Sequence, residues 1–198
     1  MPVAKTEHKS FYPATRNEWR SWLQKNHNKE MGVWLICYNK SSGKPSLTYN
    51  DTVEEALCFG WIDSIKNKID EHSSKQFFSP RNPKSAWSKL NKTRIKKLIK
   101  ESLMHESGLV KIKAAKKNGT WTTLDSIENL IMPPPLAKAI GKNKKAFQHF
   151  EAFPPSVKKG IYFWIQSAKT PETLNKRILE TVTLAAENKR ANQYVKKT

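Results

Sequence analysis

The sequence predicts an α+β fold: a small, mainly antiparallel sheet of about three strands covered by helices, followed by a helical C-terminal subdomain. Three observations carry this reading. Met31 to Tyr38 is a nearly continuous apolar run with β-branched and aromatic residues, as a buried strand is. Trp61 to Asp70 and the short Gln76-Phe77-Phe78 segment flank a polar turn, as the arms of a hairpin do. From Met104 onward the strand signals stop and helical periodicities take over. The composition changes around Gly119, which divides the chain into an N-terminal α+β domain over 1–118 and a helical subdomain over 119–198 packed on it.

Residues 1–13 lack periodicity and read as an extended lead-in whose Phe11 and Tyr12 dock on the core. Thr15-Arg16-Asn17-Glu18 is a capping box that opens a helix with Trp19, Trp22 and Leu23 on one face, ending near Asn26 to Asn28. The strand over Met31 to Tyr38 follows, then a turn over Asn39 to Ser46. That turn holds Ser42-Gly43-Lys44, but no upstream glycine stands at P-loop spacing and Pro45 removes a backbone donor, so it is not a phosphate cradle. Thr48 to Asp51 caps a second helix with Val53, Ala56, Leu57 and Gly60 at three- and four-residue steps. Gly60 fits a terminus that needs positive φ. Beyond it Ile65, Asn67 and Ile69 alternate partially, as in a strand.

After the Pro80 and Pro83 loop, Ser85 or Ser88 caps a helix running towards Lys100. Its stripe reads Trp87, Leu90, Asn91, Arg94 and Leu98, with Ile95 and Ile99 beside it, so two polar residues stand among core positions. A buried, unpartnered arginine is costly, and Asp63, Glu54 and Glu55 are the acids within reach of Arg94. Leu109 to Asn118 reads as a basic helix broken by Gly119, and Trp121 to Leu130 as a short helical turn. The Pro133-Pro134-Pro135 run implies an extended segment before Leu136 to Ile140. Helices over Asn143 to Glu151, Pro155 to Ala168 and Glu172 to Lys189 complete the chain, the last capped by Thr170-Pro171, and Arg190 to Thr198 is expected to fray.

At 198 residues the chain can bury a core without staples, and its two cysteines, Cys37 and Cys58, form no CxxC pair. A reduced, cytoplasmic setting without a disulfide is expected. No apolar run is long enough to span a bilayer, and the N-terminus is polar rather than signal-like. A net charge of +19 suggests an anionic partner, yet 30 of the 36 cations are lysine and six are arginine, the poorer composition for gripping phosphates. Lys84 to Lys117 carries 11 of these cations. It lacks aromatics between Trp87 and Trp121, so a nucleic-acid face there is possible but not favoured over a solvated one.

Three stretches resemble the YdeI/OmpD-associated family, named for bacteriocin protection: Glu54-Glu-Ala-Leu-Cys-Phe-Gly-Trp-Ile-Asp-Ser64; Phe78-Ser-Pro-Arg-Asn-Pro-Lys-Ser-Ala-Trp-Ser-Lys-Leu-Asn91 with Arg94; and Trp164-Ile-Gln-Ser-Ala-Lys-Thr-Pro-Glu-Thr173 with Arg177-Ile178. The resemblance runs from Thr15 to the last helix. It implies a role in tolerance of antimicrobial peptides or envelope stress, and brings no reaction, cofactor or catalytic residue with it.

The residues themselves argue against the familiar chemistries. Asp63-Ser64 after Gly60-Trp61 lacks the G-x-S-x-G frame and a nearby histidine, so a nucleophilic Ser64 is not supported. Cys58, on a helix face beside Leu57, reads as a small buried hydrophobe. His8, His27, His72, His105 and His149 are scattered without metal-ligand spacing, and no metal or cofactor is expected. Glu54 and Glu55 point about 100° apart on a helix, so one of them is expected to face solvent. What remains is Trp61, Asp63, Arg81, Ser85, Trp87, Asn91 and Arg94, a set able to line a pocket for a small polar ligand or to tie the elements together by buried hydrogen bonds. The sequence reading is a cytoplasmic binding protein of the bacteriocin-protection type, taking a small ligand or a protein partner. An enzyme sited near Trp61, Asp63 and Arg94, or a nucleic-acid binder using Lys84 to Lys117, are its rivals.

Overall fold

A computed structural model describes residues 8–193, which divide into two compact units between Thr122 and Thr123. The first unit is α+β. In chain order it contains β1 (Ser10–Phe11), α1 (Arg16–Asn26), β2 (Val33–Tyr38), a 3-10 turn (Lys40–Ser42), α2 (Tyr49–Cys58), β3 (Trp61–Lys68), β4 (Ser73–Pro80), α3 (Lys89–Lys100) and α4 (Glu106–Lys117). Side-chain caps fall where the sequence places them: Thr15, Thr48 and Ser88 accept from the backbone N–H of Glu18, Asp51 and Asn91.

The sheet corrects the expectation of three antiparallel strands. It has four, in the order β1-β2-β4-β3, and β1 runs parallel to β2 while β2/β4 and β4/β3 are antiparallel. Two residues of the lead-in, too few to show a period, pair Ser10 with Trp34 and Phe11 with Leu35. The hairpin arms are also more even than expected, because β4 begins at Ser73 rather than at Gln76.

One face of the sheet carries the core. Val33, Leu35 and Phe78 lie there, buried together with Trp19 and Leu23 of α1 and Val53, Ala56 and Leu57 of α2. Helix α2 is enclosed on every side, with Thr52 to Cys58 buried without a break. It ends at Gly60, whose φ of 74° needs glycine. Against that end sits the start of α4: His105 N–H donates to Cys58 O at 3.1 Å, Ser107 Oγ donates to Phe59 O at 3.1 Å, and Gly108 lies flat on the Cys58 carbonyl.

The second unit contains α5 (Asp125–Glu128), α6 (Pro134–Ile140), α7 (Lys144–Glu151), α8 (Pro155–Gln166) and α9 (Pro171–Ala186) around Leu136, Ile140, Phe150, Ile161, Tyr162 and Ile165. The triple proline is not the extended segment expected. Pro133 is the N-cap, and Pro134 and Pro135 occupy the first helical turn, where a missing N–H costs nothing. Ala191 is buried in this core, so the expected fraying does not begin at Arg190; residues beyond 193 lie outside the described part.

Two predictions test these contacts. A Cβ at position 108 would stand 2.2 Å from Cys58 O, so Gly108→Ala should cost about 1–3 kcal/mol. Gly160→Ala, in α8 with nothing within 4 Å of its Cβ, should gain up to about 1 kcal/mol, and urea unfolding reads both signs. His105 caps α4 by accepting from Ser107 N–H at Nδ1, and its pKa is held below the ordinary value by burial first, then by the charges of His27 and Arg20, against Glu106. The neutral ring's contribution is therefore complete above the unfolded pKa of about 6.5 and is lost as pH falls through the lower folded value. His105→Asn, which keeps a capping oxygen and cannot take a proton, should flatten the fall of the urea midpoint between about pH 7.5 and 5.

Candidate functional site

Both carboxylates of Glu54 and Glu55 are buried, so the expectation that one faces solvent fails. The reason is that α2 has partners on all sides. Arg16 and Arg20 project from α1, one turn apart, onto the same helix. Arg16 donates from Nε to Glu55 at 2.5 Å, from Nη2 to Glu54 at 3.1 Å and from Nη1 to Asp51 at 3.0 Å. Arg20 reaches the other Glu55 oxygen at 2.8 Å and the Leu103 carbonyl at 2.8 Å, and Lys97 of α3 closes on Glu54 at 3.2 Å. Burial alone would lower both guanidinium pKa values; the hydrogen bond and charge of Glu55 outweigh it and leave them raised. The sequence offered a signal that went unused: arginines at i and i+4 on a capped helix opposite adjacent glutamates.

Arg94 consequently pairs with no acid among the described residues. Its Nε and Nη2 donate to Asn50 Oδ1 at 3.2 and 2.6 Å, its Nη1 donates to Asn91 Oδ1 at 2.9 Å, and its guanidinium lies 5.9 Å from the Tyr49 ring. Asp63 meets the other end of that tyrosine, accepting from Tyr49 Oη at 2.9 Å and from Gln76 Nε2 at 3.4 Å. Tyr49 thus stands between Arg94 and Asp63, one of the three acids named as within its reach. Arg81, Ser85 and Trp87 form a separate joint: Arg81 donates to the Ala86 carbonyl, its guanidinium lies 3.7 Å from the Trp87 ring, and Ser85 N–H donates to Asn82 O at 2.9 Å. Burial brings the Arg81 pKa down to about 10 against the pull of Asp63. The void there is about 10 Å³, space for one water at most, and Arg81 Nε has no hydrogen-bond partner among the described residues. Trp61 is fully buried, its Nε1 donating to His27 O at 3.0 Å.

The open space lies elsewhere, at the hairpin end of the core face. Opposite residues on adjacent strands share a face, so the rows read Val33/Phe78/Asp63, then Leu35/Gln76/Lys66, then Cys37/Ser74/Lys68. The first row is mostly apolar and covered by α1 and α2. By the third the row is polar, and a cleft of about 580 Å³ opens there, lined also by Tyr38, Leu47, Tyr49 and Thr52.

A β-bulge makes this arrangement. Between Asp63 and Lys66 the register slips: three steps along β3 match two along β4. Without the slip Ile65 and Asn67 would follow Asp63 onto the core face. With it Lys66 and Lys68 line the cleft, while Ile65 and Ile69 are 59% and 49% exposed, against the alternation read from the sequence. Gln76, itself buried, holds the bulge by donating from Nε2 to the Ser64 carbonyl at 3.2 Å.

Elsewhere among the described residues no His, Cys, Asp and Glu side chains gather as a metal-binding group, and no helix is long and apolar enough to cross a membrane. Of the cations over Lys84 to Lys117, Arg94 and Lys97 are tied into the networks above, and Lys92 and Lys116 lie over the Trp121 ring.

Residues 11–111 match the family model described as Domain of unknown function (DUF8412), and residues 129–188 match the one described as Bacteriocin-protection, YdeI or OmpD-Associated. No curated protein matches the chain, and no solved structure matches it. The bacteriocin-protection match falls within the second unit and includes the Trp164 to Thr173 stretch. The Glu54 to Ser64 and Phe78 to Arg94 stretches fall within the first match.

The ion network predicts an asymmetry. Replacing Arg16 and Arg20 together by Met strands the Glu55 carboxylate and should cost about 3–5 kcal/mol. Glu55→Gln should cost clearly less, because both arginine side chains are about one-third exposed, 33% and 31%, and can turn to water. Urea unfolding followed by tryptophan fluorescence compares the two.

Proposed function

The chain belongs to the family described as Domain of unknown function (DUF8412), and we propose that it is a binding protein acting in bacteriocin protection, which takes a small polar ligand in the cleft beneath the β3–β4 hairpin. The setting is supported by the description of the family matched at residues 129–188. The binding role is supported by one observation above others: a bulge held by a buried glutamine puts Lys66 and Lys68 in place of Ile65 and Asn67 on the wall of a cleft of about 580 Å³, within the size range of small-ligand pockets.

Binding fits the groups at the cleft better than catalysis. Burial pushes the Cys37 thiol up from its ordinary range, which keeps it protonated and a poor nucleophile at neutral pH. Asp63 accepts two hydrogen bonds from neighbours, and His72 faces Glu71 at 3.4 Å. Three of the seven residues singled out in the sequence contribute indirectly: Asp63 bonds two cleft-lining side chains, Tyr49 and Gln76, while Asn91 and Arg94 brace Tyr49 and Asn50 from outside.

A small-molecule screen by thermal shift on the full chain, with amide shifts mapped by NMR, tests this reading. Hits should move the amides of residues 37–39, 47–52 and 66–76. Ser74→Phe, which fills the cleft, should weaken them at least about tenfold. Hits that map to the Arg81–Trp87 joint, or that survive Ser74→Phe in a folded protein, would count against the cleft.

A further inference from the structure

We infer that the ligand of this cleft is an organic anion, a carboxylate or phosphate carried on a flat or apolar body. This rests on the cleft being a binding site and adds the chemistry of what it takes. The charges decide the sign. The bulge brings two ammonium groups, Lys66 and Lys68, onto one wall, where an unslipped strand would have put Ile65 and Asn67. Neither lysine has an ion pair or hydrogen bond among the described residues, unlike Lys97, Lys158, Lys159 and Lys189. The reach of Lys66 into the cleft shows at the floor, where its charge opposes the upward shift of the Cys37 thiol.

Two acids, Asp70 and Glu71, also line the cleft, and each has a neighbour of its own. Asp70 is spent on its own turn, accepting from the His72 N–H at 2.8 Å and from the Ser73 side chain, and its pKa is lowered accordingly. Glu71 lies 3.4 Å from the His72 ring nitrogen. Asp63 is capped by Tyr49 and Gln76. An anion entering here meets the ammonium groups of Lys66 and Lys68, which have no ion pair or hydrogen bond among the described residues.

The walls decide the body. Leu47 and Tyr49 present an aliphatic side chain and a ring, while Thr52 and Ser74 add hydroxyls. Such a mixture, apolar walls with a few polar groups to fix orientation, suits a ligand with a hydrophobic body and one charged end. Bare inorganic phosphate uses only the charged part of it.

The test titrates the full chain with phenyl phosphate, 4-hydroxybenzoate, benzyl alcohol and inorganic phosphate, following amide shifts by NMR. Phenyl phosphate and 4-hydroxybenzoate should move the amides of residues 37–39, 47–52 and 66–76, with benzyl alcohol and inorganic phosphate each at least about tenfold weaker. Lys66→Met and Lys68→Met, at exposed positions, should each weaken the two aromatic anions about tenfold, the scale of one charge-assisted hydrogen bond, and leave benzyl alcohol unchanged. Equal binding of benzyl alcohol and the anions, indifferent to both lysines, overturns the anion assignment and leaves the cleft as a site for neutral ligands. Shifts from none of the probes at these amides overturn the anion assignment, and the wider small-molecule screen then decides the cleft itself.

Discussion

The first unit depends on a charge problem and its solution. Helix α2 is packed on by α1, α3, α4 and the sheet, so every residue from Thr52 to Cys58 is buried, including two glutamates. Two carboxylates in that position are tolerable only with cations brought to them, and the cations come from the helices on either side: Arg16 and Arg20 from α1, Lys97 from α3. The network fixes the rotation of α1 about its axis, because Arg16 and Arg20 must face α2 while Trp19 donates its indole N–H to the Thr52 carbonyl at 3.0 Å. A buried ionic network of this kind adds little net stability over a well-packed apolar one, but it penalises every other arrangement of the three helices.

The same constraint explains why Arg94 behaves as it does. With Glu54 and Glu55 satisfied by α1 and Lys97, and Asp63 satisfied by Tyr49, the α3 arginine takes amide oxygens from Asn50 and Asn91. The opening of α2 is thereby braced from α3 through Asn50 and from β3 through Tyr49. Tyr49 and Thr52 of this helix form one side of the cleft, so the neutralised helix and the candidate site are parts of one arrangement.

Much of this was legible in the chain because the signals were local. Thr15, Thr48, Ser88, Asn143 and Thr170 cap the helices that follow them, Gly60 and Gly119 take positive φ where helices stop, and the apolar run over Val33 to Tyr38 is a strand. Two of the misreadings share a physical cause: each depended on a partner far away in sequence. Ser10–Phe11 is a strand only because β2 offers a parallel edge. Glu55 is buried only because an arginine arrives from 39 residues earlier. The polyproline run was read by its intrinsic extended preference, whereas the first turn of a helix wants the same φ and needs no N–H there.

The candidate site was the least legible part, for a reason particular to strands. A period of two assigns every residue of β3 to a face once one is known, and Ile65, Asn67 and Ile69 made the assignment look settled. One extra residue in the bulge inverts it from that point on, and nothing between Asp63 and Lys66 marks the slip, since neither glycine nor proline is there. Only the tertiary partner reveals it: Gln76, at a core-facing position where Val33, Leu35 and Phe78 lead one to expect an apolar side chain, spends its amide on the carbonyl the bulge leaves unpaired. A buried polar residue that stabilises an irregular strand, and so turns lysines inward and isoleucines outward, runs against what hydrophobic burial alone would choose.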